Sequence, residues 1–109
     1  MKSSIKTILA LLLFPLWVQA QRYVGGDISL LPTYEAHGVH YLDRSGTQVE
    51  PLPYFGHGAG WNAMRVRLFV DPSKAPVTDQ LEGVCQDLNY VTLLCQRIKD
   101  EGYALMLDF

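Results

Sequence analysis

The chain has 109 residues, of which 49% are hydrophobic, and its nine basic and eleven acidic side chains give a net charge of −2. An acidic chain without a basic run argues against nucleic acid as a partner, because such partners are bound through their phosphates, and we expect none. The same charge balance gives no reason to expect binding to an anionic membrane.

The N-terminus has the composition of an export signal. Lys2 and Lys6 precede an apolar run over residues 8–18, and Val18-Gln19-Ala20 supplies the small or apolar residues of a cleavage site. We predict that residues 1–20 are a signal peptide and that the protein is exported, to the periplasm or the extracellular space. The apolar run is shorter than the roughly 20 residues of a membrane span. A single membrane anchor is therefore the less favoured alternative, and we expect no stable span.

Cysteine and histidine spacing predicts neither an internal disulfide nor a metal site. Cys85 and Cys95 lie ten residues apart in a mostly helical segment. That places them about 15 Å apart, whereas a disulfide needs Cα atoms within about 7 Å. We expect two buried thiols, or thiols with partners after residue 109. The histidines fit no ligand motif and are interpreted as solvated loop residues: His37, His40 and His57. We predict no metal and no cofactor.

Three apolar runs, over residues 23–30, 64–70 and 103–109, start about 40 residues apart. A helical pattern fills the second gap, and the order strand, crossover, strand is typical of a parallel sheet in an α/β protein. Repeated units of roughly 30 to 40 residues fit a (β/α)8 barrel and also an open, doubly wound sheet. No G-x-G-x-x-G follows any of the strands, which disfavours a dinucleotide-binding fold.

The segments between these runs have their own patterns. Asp87 is placed to cap a helix and Gly102 to end it. The apolar face of this helix is predicted to hold Leu88, Val91, Leu94, Cys95 and Ile98. In the first gap, Asp43-Arg44-Ser45-Gly46 is a turn signal that predicts a small hairpin. The segment Pro51–Gly60 is rich in helix breakers and allows at most a short helix.

The second run alternates apolar and cationic side chains. Val66, Leu68 and Val70 fall on one face of the predicted strand, and Arg65 and Arg67 fall on the other. This pattern indicates a sheet whose second face contacts an anionic or strongly hydrogen-bonding group. An edge strand with a solvated face explains it equally well.

Four polar residues are predicted to project near one rim of the sheet. Asp27 and Ser29 lie on the first strand, Arg67 on the second and Asp108 at the end of the third. Carboxylates accept from sugar hydroxyls, and an arginine can hold a catalytic carboxylate ionised, so the group suits an enzyme with a hydroxyl-rich, uncharged substrate. A structural ion-pair cluster is the alternative. The two interpretations are balanced for Asp27 and Arg65, whereas function is favoured for Arg67 and Asp108.

Two aromatic residues, Tyr54 and Trp61, are candidate sugar-stacking platforms. Packing against the core or between helix and sheet is the favoured interpretation of both.

Four segments form a set that follows a family pattern. They are Gly25-Gly26-Asp27-Ile28-Ser29-Leu30-Leu31-Pro32, Trp61-Asn62-Ala63-Met64-Arg65-Val66-Arg67-Leu68-Phe69-Val70-Asp71-Pro72, Gly83-Val84-Cys85-Gln86-Asp87-Leu88 and Leu105-Met106-Leu107-Asp108-Phe109. In order and spacing the chain resembles glycoside hydrolase family 53, the arabinogalactan endo-β-1,4-galactanases. Each segment alone is modestly specific, but together they span essentially all of the chain after residue 20.

The resemblance implies a (β/α)8 TIM barrel that hydrolyses β-1,4-galactan, or arabinogalactan, with retention of configuration. In the family two glutamates act as acid/base and nucleophile, at the ends of barrel strands four and seven. We expect residues 21–109 to be the N-terminal portion of the barrel, about strands one to three, truncated in strand three. The catalytic pair is then expected after residue 109. The glutamates of this chain lie outside strand-end positions: Glu35, Glu50, Glu82 and Glu101.

The resemblance also implies supporting roles. Arg67 matches the arginine of barrel strand two that hydrogen-bonds the nucleophile and keeps it ionised. Asp27 and Asp108 match acidic positions of strands one and three, at the floor of the site where substrate binds. The chain departs from the family at Pro51–Gly60, where a Pro/Gly-rich segment replaces the usual helix.

Two alternatives to a galactanase stay open. One is a non-catalytic, exported glycan-binding α/β module, and the other is a retaining barrel glycosidase that acts on a different β-glycan.

Overall fold

A computed structural model describes residues 22–109. The predicted signal peptide, residues 1–20, lies outside this range. In chain order the elements are β1 (Gly25–Asp27), α1 (Leu31–Ala36), β2 (Tyr41–Leu42), β3 (Gln48–Val49), α2 (Pro51–His57), β4 (Ala63–Arg67), a 3-10 turn (Pro72–Lys74), α3 (Val77–Leu81), α4 (Leu88–Asp100) and β5 (Ala104–Asp108). No helix in the described range is long and apolar enough to cross a membrane.

Strands β1, β4 and β5 form a sheet with β4 in the centre, and both pairings are parallel. This confirms the predicted α/β organisation with a parallel sheet. The register places Asp27 beside Arg65, and Arg67 beside Asp108. The close approach of β1 to β4 requires glycine at position 25, because a Cβ there would lie 1.7 Å from the carbonyl oxygen of Ala63.

Strand β1 is shorter than the apolar run that predicted it. It ends at Asp27 because the chain turns into α1, and the carbonyl of Ile28 accepts from the N–H of Leu31 (3.0 Å). Ser29 was expected on this strand but lies in the turn that follows it, where its side chain is buried.

Strand β4 also ends early, at Arg67. The N–H of Phe69 donates to the carbonyl of Gln86 (2.9 Å) in a loop and no longer to a strand neighbour. Val70 is 97% exposed, so the prediction that it shares the buried face of Val66 is wrong.

Helix α4 supplies the main cover of the sheet. Its buried residues Val91, Leu94 and Ile98 follow helical spacing and join Met64 and Val66 of β4 in the hydrophobic core. These residues are the most buried part of the described chain, which makes the α4–β4 contact the centre of the fold.

The ends of α4 are those predicted from the sequence. The side chain of Asp87 accepts a hydrogen bond from the N–H of Tyr90 (2.9 Å), and Gly102 follows the helix with a φ of 83°. Leu88 was expected on the apolar face but is 67% exposed, because the buried stripe begins one turn later, at Val91.

The predicted hairpin is present as β2 and β3, with Tyr41 opposite Val49 in an antiparallel pair. One carboxylate oxygen of Asp43 accepts from the N–H and hydroxyl of Ser45 and from the N–H of Thr47. These hydrogen bonds, that of the Ser45 hydroxyl first, lower the pKa of Asp43.

The Pro/Gly-rich segment forms one short helix, α2, as its composition allows. Leu52 of this helix is buried, and its carbonyl accepts a hydrogen bond from the hydroxyl of Tyr103, which directly precedes β5. Gly56 leaves room for the phenol, because a Cβ there would lie 2.8 Å from the Tyr103 oxygen. This buried hydrogen bond and the core contacts of Leu52 and Phe55 hold the short helix against the sheet.

Both cysteines are free, and they are half-buried rather than fully buried. Cys85 lies in the extended loop before α4, where its Sγ is 3.2 Å from the Thr33 Oγ1. Cys95 lies on α4, and burial raises the pKa of its thiol.

Truncation of Leu94 tests the core. Leu94→Ala is expected to destabilise the protein by about 2–5 kcal/mol, the usual cost for a buried leucine, because Leu94 is 1% exposed. Leu93→Ala is the matched control on the same helix. Leu93 is 71% exposed, so its truncation should change the free energy of unfolding by less than about 0.5 kcal/mol. Chemical denaturation measures both, and equal losses would contradict the packing of α4.

Ionisation of Tyr103 should lower the stability of the protein at alkaline pH. Burial raises the pKa of its phenol, so the folded state favours the neutral form. The resulting stability is complete below the unfolded pKa of about 10 and is lost as the pH rises through the higher folded pKa. We expect a falling melting temperature above about pH 10 and a flatter decline for Tyr103→Phe. Absorbance titration at alkaline pH measures the ionisation, and a Tyr103 that titrates like free tyrosine rejects this prediction.

Candidate active site

The charged side chains lie on the face of the sheet opposite α4. Arg65 and Arg67 are exposed, while Met64 and Val66 beside them are buried. The alternation predicted for this strand is therefore confirmed over β4. Because β4 is the central strand of the described sheet, the alternative of an edge strand is wrong, although the face with Arg65 and Arg67 is exposed as that alternative expected.

Arg65 bridges two carboxylates that belong to different strands. Its Nη1 lies 3.1 Å from Oδ2 of Asp27 on β1, and its Nη2 donates to Oδ2 of Asp108 on β5. The hydrogen bond to Asp108, followed by the negative charge of both carboxylates, raises the pKa of Arg65. The guanidinium therefore stays charged at any working pH. We call these three residues the Arg65 triad.

The triad has the geometry of a structural ion-pair cluster, the alternative to substrate binding for these residues. Its side chains are between 36% and 43% exposed, and solvent screening makes such pairs weak contributors to stability. Its main effect is positional, because one planar cation fixes the separation and orientation of Asp27 and Asp108.

Arg67 lies on the same face but does not join the triad. Its guanidinium carbon sits 4.7 Å from the ring centroid of Phe69, a cation–π contact. Among residues 22–109, no carboxylate lies within ion-pair distance of this guanidinium. The charge of Arg67 therefore remains available to a further acceptor.

Ser29 fixes the second carboxylate oxygen of Asp27. Both the N–H (2.8 Å) and the hydroxyl of Ser29 donate to Oδ1 of Asp27, which leaves Oδ2 for Arg65. The same hydroxyl accepts from the backbone N–H of Arg67 at 2.9 Å. The four residues predicted at one rim are thus brought together, although Arg67 joins through its backbone and not its guanidinium.

A cleft of about 390 Å³ opens beside these residues. Its charged and amide lining consists of Asp27, Arg65, Arg67, Asp79, Glu82 and Gln86. The last three residues were not predicted as part of a site. The available signal was their place in the segment between β4 and α4, since segments that follow the carboxyl ends of parallel strands face the ligand side.

The aromatic residues divide between packing and lining. Trp61 stacks on Phe55, with centroids 4.7 Å apart and ring planes 21° apart, so the expected packing role is confirmed. Trp61 also lines the cleft, together with Phe69, whereas Tyr54 does not.

The histidines make separate, local contacts. The Nδ1 of His37 lies 2.7 Å from the Thr33 carbonyl oxygen, and the Nδ1 of His40 lies 3.2 Å from Nε2 of Gln48. Between residues 22 and 109 there is no group of three or more His, Cys, Asp or Glu side chains that could hold a metal ion.

Comparison with protein families identifies the chain. The family model described as glycosyl hydrolase family 53 matches residues 23–109. The chain belongs to glycosyl hydrolase family 53. This confirms the resemblance found in the sequence, and galactanase specificity is the known activity of family 53. Among curated proteins, no match to the chain was found.

Membership of family 53 implies a glycan substrate and a TIM barrel. The parallel sheet with its helices is compatible with part of such a barrel. None of the described glutamates is itself at the carboxyl end of a parallel strand, although Glu82 lines the cleft from the C-cap of α3. Glu35 is on α1 and pairs with Arg97 at 2.7 Å, and the others adjoin helices: Glu50, Glu82 and Glu101.

Substitution of Arg65 should leave the two carboxylates that it bridges without a neutralising cation. In Arg65→Gln, Asp27 and Asp108 lose their shared cation, so we expect a lower melting temperature at low ionic strength. The deficit should shrink in about 1 M salt, where the Debye length falls to about 3 Å.

Arg67→Gln is the matched control, on the same strand and face but without a carboxylate partner. Thermal unfolding at two salt concentrations measures both variants. An equal salt dependence of the two would show that Arg65 is not the bridging cation.

Proposed function

We propose that the chain is part of an exported endo-β-1,4-galactanase that hydrolyses β-1,4-galactan and arabinogalactan with retention. The observation that carries the proposal is the family 53 match over residues 23–109. In this proposal, residues 21–109 form the N-terminal portion of a (β/α)8 barrel, about its first three strands. Residues 1–20 are its export signal.

The lining of the cleft suits an uncharged polyol. Arg67 and the amide of Gln86 offer donors, and Asp79 and Glu82 offer acceptors, so both signs of charge border the same space. Sugar hydroxyls donate and accept at once and can pair with such a mixture. Phe69 adds an apolar ring of the kind that packs on the face of a sugar.

We assign Arg67 to the support of the catalytic nucleophile. A guanidinium close to a carboxylate lowers the pKa of that carboxylate and so keeps a nucleophile ionised. Arg67 has this charge uncommitted to any carboxylate in the described part of the chain. Asp27 and Asp108 are proposed as the floor of the substrate site, held in place by Arg65.

The acid/base and the nucleophile are proposed to be glutamates that follow residue 109. A retaining pair stands about 5–5.5 Å apart across the glycosidic bond. The described glutamates adjoin helices rather than strand ends, which supports the assignment of the pair to other barrel strands.

Hydrolysis of galactan tests this function. The full-length gene product should release galacto-oligosaccharides from β-1,4-galactan, with the β-anomer formed first in an NMR time course, because the mechanism is retaining. A panel of β-1,4-glucan and β-1,4-mannan serves as the control for specificity. Cleavage of one of these instead of galactan would reassign the substrate, and binding of galactan without cleavage would favour a binding module.

The 109-residue chain by itself should release no sugar, because the proposed catalytic pair lies outside it. Release of galacto-oligosaccharides by this chain would overturn the placement of the pair.

A further inference from the structure

A buried serine connects three elements behind the Arg65 triad. Ser29 is 5% exposed and lies in the turn between β1 and α1. Its N–H and hydroxyl hold Asp27, its hydroxyl oxygen accepts from the N–H of Arg67, and its carbonyl accepts from the hydroxyl of Tyr90 on α4 (2.7 Å).

The hydroxyl of Ser29 replaces a backbone hydrogen bond that would otherwise continue the parallel pairing of β1 and β4. The N–H of Ile28 still donates to the carbonyl of Arg65 (3.1 Å), but the carbonyl of Ile28 is taken by the N–H of Leu31. The N–H of Arg67 therefore has no strand carbonyl to bond and turns to the Ser29 hydroxyl. One side-chain oxygen thus holds β4 to the end of β1 where the site begins.

We infer that Ser29 is a positioning residue of the site, which sets the carboxylate of Asp27 and the backbone of Arg67 through one hydroxyl, with Tyr90 holding Ser29 from behind. Without the hydroxyl, Asp27 keeps only the N–H of Ser29 on Oδ1, and the amide of Arg67 loses its acceptor. Both changes loosen residues that the proposed function places at the substrate. The effect on catalysis is the only part of the inference that rests on the proposed function.

The chain contains matched local turns without the cross-strand bond. At Asp71, the N–H (3.1 Å) and hydroxyl (2.6 Å) of Ser73 donate to Oδ1, and Ser45 donates to Asp43 in the same way. Both turns are exposed, and neither serine bonds another strand of the parallel sheet. Ser73→Ala therefore removes the same turn contact without touching the site.

Amide hydrogen exchange in the intact protein tests the inference. In Ser29→Ala, exchange at the N–H of Arg67 should speed up at least about tenfold, the ratio that a 1.4 kcal/mol change in opening equilibrium produces. Exchange at Ile28, whose acceptor is a strand carbonyl, should change less than about twofold. Ser29→Thr, which keeps a hydroxyl, should restore protection, and Ser73→Ala should leave Arg67 unchanged.

A uniform acceleration at Arg67 and Ile28 would show that Ser29 only adds global stability, and unchanged exchange at Arg67 would overturn the inference outright. If Ser29→Ala does not fold, Tyr90→Phe carries the test. This variant keeps the Ser29 hydroxyl but frees its carbonyl, and the same selective acceleration at Arg67 is expected. Tyr54→Phe, which removes a hydroxyl elsewhere, is its control.

Kinetics separate this inference from the proposed function. In the galactan-cleaving enzyme, Ser29→Ala should lower kcat/KM about tenfold, because the hydroxyl positions Asp27, which is proposed to bind substrate, and Arg67, which is proposed to support the nucleophile. A protein that cleaves no galactan but shows the selective exchange effect would refute the proposed function and leave the positioning role standing.

Discussion

One guanidinium between two carboxylates organises the polar face of the sheet. Arg65 lies on the central strand, and its two terminal nitrogens reach Asp27 on one neighbour and Asp108 on the other. Without a cation between them, two carboxylates on the strands that flank β4 would repel each other. The three side chains remain partly solvated, so the bridge contributes little to stability and much to the placement of the acids.

Packing on the opposite face of β4 explains why the side chains on its polar face are held in place. Met64 and Val66 are buried against α4, and a side chain in a close-packed core cannot shift without disturbing its neighbours. Because strand side chains alternate, fixing the apolar face also fixes Arg65 and Arg67 on the other. The core and the site are therefore two faces of one short strand.

Periodicity and capping predicted the elements that depend on local chemistry. Helix α4 follows from its apolar spacing, Asp87 and Gly102, and the parallel order follows from the strand and helix alternation. The first two strands were predicted to be longer than they are, because apolar content does not reveal where the backbone begins to hydrogen-bond outside the sheet. Val70 is apolar and yet 97% exposed, because the chain has left the sheet by Phe69, whose N–H donates to the carbonyl of Gln86.

The sequence predicted several residues of the candidate site, but not which of their side chains pair with each other. Asp27 and Asp108 could be placed at one rim from strand order, but alternation alone puts Arg65 and Arg67 on the same face and cannot say which one forms the bridge. Register does not decide it either, because Asp108 lies beside Arg67 but is bonded by the guanidinium of Arg65, so the choice depends on side-chain conformation in the folded sheet. The acids of the segment between β4 and α4, Asp79 and Glu82, were missed because the path of that segment over the sheet leaves no periodic pattern in the sequence.

A crystal structure of the intact protein with β-1,4-galactotetraose bound would test the account most directly. We predict that the sugar lies in the cleft between Arg67 and the acids of α3 and its C-cap, Asp79 and Glu82, while Arg65 still bridges Asp27 and Asp108. A sugar seated on another surface, or an Arg65 that has left both carboxylates, would contradict it.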